Sequence, residues 1–292
     1  MKKRRLLLRG ATLVTVALLI CCAGSRVVRV DTTPPESFPK KGFDHQVFES
    51  LLERFVDKQG NVAYQRWHDD EAAVRELDSY LAAVALYSPD NAPERFPTHN
   101  SRLSFWINVY NACVLKGVLL NWPLQSVMDV KAPIQLKRGQ GFFHTLGFVV
   151  GGKTYSLLEI ENEKIIDDFE EPRIHFVLNC ASGSCPVLQP ELPEGPELER
   201  YLADATRQFM SESRNVFVDH ASRRIVLSNI FELYTDEFVN EARRRGLAGG
   251  IVAYVRSVAP DNVAAELDKA EGFTVEYRAF DWSVNAQGPA GG

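Results

Sequence analysis

The segment from Arg173 to Pro186 carries the residue types that thiol chemistry needs, namely one imidazole, His175, and two thiols, Cys180 and Cys185. A thiol hydrolase or transferase uses a thiolate, a base that generates it, and backbone N–H groups that stabilise an oxyanion. Residues 181–184 are all small, so a backbone here would approach a substrate closely. This segment is therefore the first candidate for a catalytic site.

The spacing of these residues bears on which thiol pairs with the imidazole. The apolar run Ile174–Cys180 predicts a buried strand, on which residues 175 and 180 point to opposite faces. Cys180 then reaches His175 only where the strand bends or ends, whereas Cys185 folds back from beyond the loop. Spacing alone favours Cys185.

The same residues also have a structural interpretation. A single histidine in a buried strand is more often a hydrogen-bonded core residue, and a buried free cysteine packs as a small apolar group. Cys180 and Cys185 could also form a local disulfide. With one neighbouring histidine they lack a fourth ligand at zinc spacing, so neither a metal nor another cofactor is predicted.

Further polar candidates lie outside this segment. Residues 101–120 are apolar nearly all round and predict an enclosed helix, which carries Asn111. An amide there either ties a loop to the core or orients a catalytic imidazole. His144 and Glu161 are also candidates; Glu161 is the freer carboxylate because its neighbour Glu159 matches a capping box.

The elements that must position these residues form a mixed pattern. Apolar stripes at 47–55 and 74–84 predict helices, and hairpin signals occur near residues 151–152 and within 215–228. A late strand is predicted at 273–277. Without regular βαβ alternation, the fold class is α+β: a single mixed domain with a central buried helix packed against a mainly antiparallel sheet, with a papain- or transglutaminase-like arrangement among the candidates.

Residues 1–24 read as an export signal. Four cations at 2–5 precede an apolar run from Gly10 to Ala23, which is followed by small residues. Cys21 or Cys22 completes an imperfect lipoprotein signal, and the arginines an imperfect twin-arginine signal. Lipid-anchored, soluble periplasmic and signal-anchored forms stay open. The predicted location is the periplasmic side of the cell envelope, with membrane association through the N-terminus.

The remaining chain divides into an extended, proline-bearing linker at 25–42, one domain at 43–285 and a tail at 286–292. Removing residues 1–24 deletes five cations and no acids, so the formal net charge moves from −5 to −10. Such an acidic chain has no general attraction for nucleic acid. Three cysteines then remain, an odd number that argues against a disulfide framework. Phosphate-binding, GxSxG and dinucleotide motifs are missing from the sequence, which excludes kinase, serine hydrolase and dehydrogenase classes.

Five motifs carry a resemblance to a known family. They are FWINVYNA at 105–112, YSLLEIE at 155–161, RIHFVLNC at 173–180 with SCP at 184–186, LSNIF at 227–231 and FDWSVN at 280–285. In this order they resemble the domain of unknown function 547 family of bacteria, plants and animals, from Phe43 to about Asn285.

The resemblance implies no settled activity, but it bears on the thiols. In related sequences the cysteine that matches Cys180 looks the more constant, whereas the position of Cys185 can hold serine, which favours Cys180 as nucleophile. Asn162 stands where many relatives have histidine, so a mechanism that needs that imidazole is not expected here.

Two functions follow as hypotheses. The first is a cell-envelope thiol hydrolase or acyl transferase acting on amide or ester bonds, with Cys180 as nucleophile, His175 or His144 as base, and Asn111 or Glu161 as orienting group. The second is a non-catalytic envelope binding or scaffolding module in which these residues are structural. The substrate or protein partner is unspecified in either case.

Overall fold

The computed structural model describes residues 26–132, 137–193 and 195–288. The predicted export signal and the last four residues of the predicted tail lie outside these ranges. The α-helices are α1 (Gln46–Phe55), α2 (Tyr64–Asp69), α3 (Glu71–Leu86), α4 (His99–Leu120), α5 (Leu157–Glu159, continued as a π-helix at Ile160–Ile166 and as an α-helix at Asp167–Phe169), α6 (Leu198–Ser211), α7 (Ile230–Leu233), α8 (Thr235–Arg244), α9 (Gly250–Val258) and α10 (Asp261–Asp268).

The strands form two three-stranded sheets in the described ranges. They are β1 (Arg26–Val27), β2 (Leu146–Val150), β3 (Lys153–Ser156), β4 (Val216–Asp219), β5 (Arg224–Leu227) and β6 (Thr274–Tyr277). The orders are β1-β2-β3 and β4-β5-β6, and each sheet combines one antiparallel hairpin with one parallel edge pair.

The predicted α+β class and both hairpins are confirmed. The strands are divided between two small mixed sheets, each an antiparallel hairpin with one parallel edge pairing that the sequence did not predict. Each parallel edge strand comes from far along the chain: β1 pairs with β2, and β6 pairs with β5. Such long-range pairing leaves no local trace in the sequence, because periodicity reports only which face a strand buries.

Helix α4 is the predicted central helix. Thr98 and Ser101 form a capping box at its start, and every residue from Leu103 to Leu119 is buried. Among the described residues it is also the helix long and apolar enough to cross a membrane by length and composition. Because 94% of that apolar stretch is buried inside the protein, it serves as a core helix.

Two apolar cores meet at the candidate segment. One surrounds α4 and includes Ile174, Val177 and Leu178, whereas the other packs beneath the second sheet and includes Phe176. Consecutive side chains therefore anchor the segment to both halves of the domain. This dual attachment fixes the backbone that leads into Cys180.

The segment itself is not the strand that its apolar run predicted. Pro172–Phe176 is a 3₁₀ helix, and residues 177–180 form no strand. Pro172 at the first turn presets φ for a helical start, and the Glu171 carboxylate accepts the Arg173 N–H. A short, continuous apolar run does not distinguish a strand from a buried turn.

The predicted linker at 25–42 pairs with the domain at its first described residues. Arg26 and Val27 pair with Leu146 and Gly147 as a parallel edge strand. Val28 is buried and donates its N–H to the Gly147 carbonyl at 2.8 Å. The first residues of this segment therefore contribute to the first sheet.

Candidate functional site

The cysteine loop, residues 180–185, is closed by a disulfide between Cys180 and Cys185, whose Cα atoms lie 6.2 Å apart. Of the arrangements left open by the sequence, the local disulfide is the one that forms. Cys180 is partly exposed, whereas Cys185 is 4% exposed. Cys113 keeps a free thiol in the core, where burial raises its pKa well above the usual range.

Two polar groups of the loop contact the buried sulfur. The Cys180 backbone N–H donates to the Cys185 sulfur at 3.0 Å, and the Ser182 hydroxyl lies 3.1 Å from the same atom. Hydrogen bonds to a sulfur stabilise its thiolate form. The same hydroxyl lies 3.3 Å from the Cys180 sulfur, so the bond from the Cys180 N–H is what gives Cys185 the better hydrogen-bonded sulfur of the two.

The loop is also held by a segment distant in sequence, the C-terminal segment of residues 281–285. The N–H groups of Gly183 and Ser184 donate to the carbonyls of Ser283 and Asp281. In return, Asn285 donates its N–H to the Ala181 carbonyl. These bonds hold the loop in addition to the disulfide.

The backbone of the loop is strained at one position. Ala181 has φ of +60°, in the left-handed region that residues with a Cβ rarely adopt, and it is completely buried. Its N–H donates to the Asn179 side-chain oxygen at 2.8 Å, which helps to maintain this conformation. Such strain persists only where surrounding contacts dictate it, and it concentrates at functional sites.

Next to the disulfide is a cavity of about 260 Å³, here called the thiol cavity. Cys180, Cys185, His175, His144 and Glu161 all line it. Its aromatic walls are Tyr110, Phe143, Tyr234, Phe280 and Trp282. Five of the six residues predicted from the sequence as a site therefore meet around one cavity.

His175 is oriented by a carboxylate that the sequence analysis did not select. Its Nε2 lies 2.7 Å from the Glu237 carboxylate, and its ring stacks on Tyr234 with centroids 3.7 Å apart. An ionised carboxylate only accepts hydrogen bonds, so Nε2 carries the hydrogen, and Nδ1 of the neutral ring is left as the basic nitrogen. The geometry is that of a histidine held by an acidic residue.

Glu161 lies between two tyrosines. Tyr110 donates its hydroxyl hydrogen to one carboxylate oxygen at 2.9 Å, and Tyr234 donates to the other. Burial raises the pKa of both tyrosines well above 10, so their hydroxyls keep their protons and act as donors. Glu161 is therefore a buried carboxylate that lines the thiol cavity and keeps acceptor positions beyond those the two tyrosines use.

Asn111 has a different position from the one predicted for an orienting group. Its amide donates to the Val177 carbonyl at 3.0 Å, and its oxygen accepts the Asn179 N–H at 2.9 Å. It binds the backbone that leads to Cys180. Glu237, not Asn111 or Glu161, is the residue within hydrogen-bond distance of the His175 imidazole.

His144 is exposed and lies in a short π-helix, Gly141–Thr145, at the edge of the thiol cavity. It reaches this position because the π-helix leads directly into β2. Of the two predicted bases, His175 is therefore buried and oriented, and His144 is accessible.

Sequence reasoning missed three residues of this site: Tyr110, Tyr234 and Glu237. Tyr110 stands inside the FWINVYNA motif and was read only as part of an apolar helix. Tyr234 is the N-cap residue of α8 and Glu237 lies in its first turn, so the sequence places a polar aromatic residue and an acid at the start of one helix. That signal has no meaning until the fold brings α8 against His175.

Comparison with known proteins gives one match. Residues 94–210 match the family model described as "Protein of unknown function, DUF547". This range contains α4, α5, the cysteine loop and all but the last residue of α6. No curated protein and no solved structure matches the chain.

Proposed function

The chain belongs to the family of proteins of unknown function DUF547. From the geometry of its cysteine loop, we propose that it is a thiol–disulfide exchange enzyme. The reactive group is the disulfide between Cys180 and Cys185. The observation that carries this proposal is the pairing of a partly exposed sulfur beside a cavity with a buried sulfur that accepts hydrogen bonds.

A purely structural role explains the disulfide less well. A disulfide that closes a six-residue loop stabilises a protein by roughly 2 kcal/mol at most in the chain-entropy description. The C-terminal segment already holds this loop through hydrogen bonds to Ala181, Gly183 and Ser184. Because these hydrogen bonds make the disulfide largely redundant for holding the loop, chemical reactivity is the better reason for a disulfide beside a cavity.

The exchange reaction follows from the two sulfur environments. A substrate thiolate attacks the Cys180 sulfur, the Cys180–Cys185 bond breaks, and Cys185 leaves as a thiolate. The Cys180 N–H and the Ser182 hydroxyl stabilise that leaving group. A second substrate thiolate attacks the substrate sulfur of the mixed disulfide, which releases a substrate disulfide and the Cys180 thiolate.

In sum, two substrate thiols are oxidised to one disulfide, and the cysteine pair is reduced. Stabilisation of the reduced pair makes a disulfide more oxidising. The protein is therefore proposed as a donor of disulfides, which a second disulfide compound must regenerate. The predicted export signal fits this direction, because disulfides persist outside the cytoplasm. We propose the periplasmic side of the cell envelope as its location.

The test uses the oxidised full chain and reduced glutathione. We expect release of glutathione disulfide. In Cys185→Ser, treated instead with glutathione disulfide, the Cys180 thiolate should attack one glutathione sulfur and release the other glutathione as a thiolate, which leaves a glutathione adduct on Cys180 that mass spectrometry detects. Cys113→Ser, which alters a buried thiol outside the cavity, is the matched control and exchanges like the wild type. A disulfide that glutathione and dithiothreitol leave intact under native conditions would overturn the proposal.

Acyl transfer or hydrolysis of an amide or ester is the second candidate, and the His175–Glu237 pair favours it. After reduction, His175 Nδ1 would take the Cys180 proton, the sulfur would attack the carbonyl carbon, and the leaving group would take that proton. The loop offers less for the oxyanion, because the N–H groups of Ala181, Gly183 and Ser184 are already engaged. Disulfide exchange needs no such donors, which is why it ranks first.

Alkylation of the reduced chain at different pH values tests the acyl-transfer candidate. With Cys113 and Cys185 replaced, a Cys180 pKa at or above about 8.5, the free-thiol reference, would contradict acyl transfer through this sulfur and would leave disulfide exchange to the glutathione test. A depressed pKa that rises in His175→Ala would favour acyl transfer. One that is unchanged in His175→Ala would favour exchange.

A further inference from the structure

The thiol cavity has a charge and wall composition that select a class of ligand. Among the described residues that line it, Glu161 is the acid, two are histidines, and none is lysine or arginine. The other lining residues are aromatic, aliphatic or sulfur-containing. A buried carboxylate behind aromatic rings is complementary to a cation with an apolar body.

The acceptor positions of Glu161 that the tyrosines leave unoccupied favour a ligand that donates hydrogen bonds. A carboxylate has about four acceptor positions, and the Tyr110 and Tyr234 hydroxyls occupy two of them. The two tyrosines also fix the orientation of the carboxylate within the wall. An ammonium group has three donors and a positive charge, so it can occupy the remaining positions and form charge-assisted hydrogen bonds.

The rings around the cavity offer a second attraction for a cation. Tyr234 both donates to Glu161 and stacks on His175, so its ring is fixed in place. Trp282 packs on Phe280 with centroids 4.3 Å apart and lies 6.2 Å from Phe143. Faces of such rings attract ammonium groups within about 6 Å of their centroids.

The volume of the thiol cavity indicates the size of the ligand. About 260 Å³ holds roughly eight or nine atoms or groups of water size, at about 30 Å³ each. A single alkyl chain that ends in an ammonium fits this volume. From charge, donors and size together, we propose that the thiol cavity binds a primary alkylammonium group of about six carbons, with the ammonium on Glu161 and the alkyl chain against the aromatic walls.

This inference rests on the proposed function in one respect: it takes the thiol cavity as the place where a substrate meets Cys180. Two sources share the chemistry, a free alkylamine and the side chain of a lysine in a peptide. Both present an ammonium on a flexible apolar chain.

Binding is tested in a chain without thiol chemistry, Cys180→Ser with Cys185→Ser, by calorimetry and by the fluorescence of Trp282. The probes are hexylammonium, its neutral isostere hexanol, the anion hexanoate, and a lysine with blocked termini. We expect hexylammonium to bind at least tenfold more tightly than hexanol, and hexanoate to bind least. Equal affinity for hexylammonium and hexanol, or no binding of either, would overturn the proposal.

Variants assign the selectivity to one residue. Glu161→Gln keeps the shape and removes the charge, so we expect it to abolish the preference for hexylammonium over hexanol. Glu163→Gln, an exposed acid two residues away, is the matched control and keeps the preference. An unchanged preference in Glu161→Gln would contradict the assignment. If Glu161→Gln fails to fold, the probe series in the parent chain decides by itself.

The probes also separate the two sources, and the two proposals fail separately. Binding of blocked lysine supports a peptide side chain, and binding of hexylammonium alone supports a free amine. Ammonium selectivity in the thiol-free chain would stand even if glutathione exchange failed. Exchange without ammonium selectivity would leave the proposed function and refute this inference.

Discussion

The Asn111 side-chain oxygen accepts the backbone N–H of Asn179 at 2.9 Å, so the central helix is bonded directly to the residue that precedes Cys180. The same amide donates to the Val177 carbonyl at 3.0 Å. One buried side chain therefore fixes both ends of the irregular turn that leads into the cysteine loop.

Loss of this amide should cost stability. Asn111→Ala leaves one buried N–H and one buried carbonyl without partners, at about 1–3 kcal/mol each, and we expect the free energy of unfolding to fall by about 2–4 kcal/mol. Urea denaturation measures it. Asn240→Ala, which removes an exposed amide, should change the value by less than about 0.5 kcal/mol. Equal effects of the two substitutions would contradict the structural role of Asn111.

The free energy of unfolding should depend more on Asn285 of the C-terminal segment than on the disulfide of the cysteine loop. The Asn285 side chain accepts the Tyr64 hydroxyl hydrogen at 2.9 Å and donates to the Gly60 carbonyl at 3.3 Å, all in buried surroundings. Asn285→Ala should therefore lower the free energy of unfolding by about 2–3 kcal/mol.

Removal of the disulfide through Cys180→Ser with Cys185→Ser should cost less than Asn285→Ala, at most about 2 kcal/mol. Chemical denaturation of the three chains under identical buffer conditions gives the order. The reverse order would mean that the disulfide contributes more to the stability of the fold than the Asn285 side chain does.

A buried ion pair links α3 to α4. The Lys116 ammonium lies 2.5 Å from the Asp78 carboxylate, and their side chains are 5% and 21% exposed. Asp78→Ala leaves a buried cation without its partner, so we expect a loss of about 3–5 kcal/mol in the free energy of unfolding.

The double substitution Lys116→Met with Asp78→Leu should restore part of that loss, because no unpaired charge remains. Arg75→Ala breaks an exposed pair on the same helix, Arg75–Glu71, and should cost less than about 1 kcal/mol. A double variant as unstable as Asp78→Ala would show that packing, not the lone charge, dominates.

Acid sensitivity should arise at His45. Burial lowers the pKa of His45 to about 3, and its Nδ1 lies 2.8 Å from the Tyr80 hydroxyl. Below about pH 6.5 the unfolded chain binds a proton at this ring and the folded chain does not, so acid favours unfolding. The stabilising effect is complete above pH 6.5 and is lost as the pH falls towards 3.

The expected slope is about 1.4 kcal/mol per pH unit between these values. Between pH 7 and pH 5, the free energy of unfolding should thus fall by about 2 kcal/mol more in the wild type than in His45→Gln, whose amide does not titrate. His220→Gln replaces an exposed histidine and serves as the control. Identical pH dependence in the wild type and His45→Gln would refute this origin.

The sequence predicted those parts of the fold that local pattern determines. The apolar stripe of α1, the all-round apolar surface of α4 and the Ser156–Glu159 capping box appear at the expected residues. Each depends on contacts within a few residues, which periodicity and cap chemistry report.

What local pattern could not supply is the pairing of distant residues. The parallel edges β1–β2 and β5–β6 join strands far apart in the chain. The Ile174–Cys180 run is equally compatible with a strand and with a turn shared by two cores. Thus the sequence selected five residues of the thiol cavity and still misassigned the backbone that carries them.

The site shows the same division. Cys180, His175 and Glu161 were recognisable because their residue types carry chemistry, whereas Glu237 became relevant only through its contact with His175. Asn111 was selected for the right reason, an enclosed amide that must find partners, but its partners are backbone groups. Residue type indicated the candidates, and tertiary structure decided their partners.

The distance along the chain between the cysteine loop and residues 281–285 sets an order of events during biosynthesis. Ser184 and Asp281 are 97 residues apart, a separation that a ribosome covers in roughly 5 to 20 seconds at about 5–20 residues per second. Throughout that interval the two thiols have been made and the segment that fixes their loop has not. The newly made cysteines are thus open to exchange with disulfides of other molecules before residues 281–285 hold their loop.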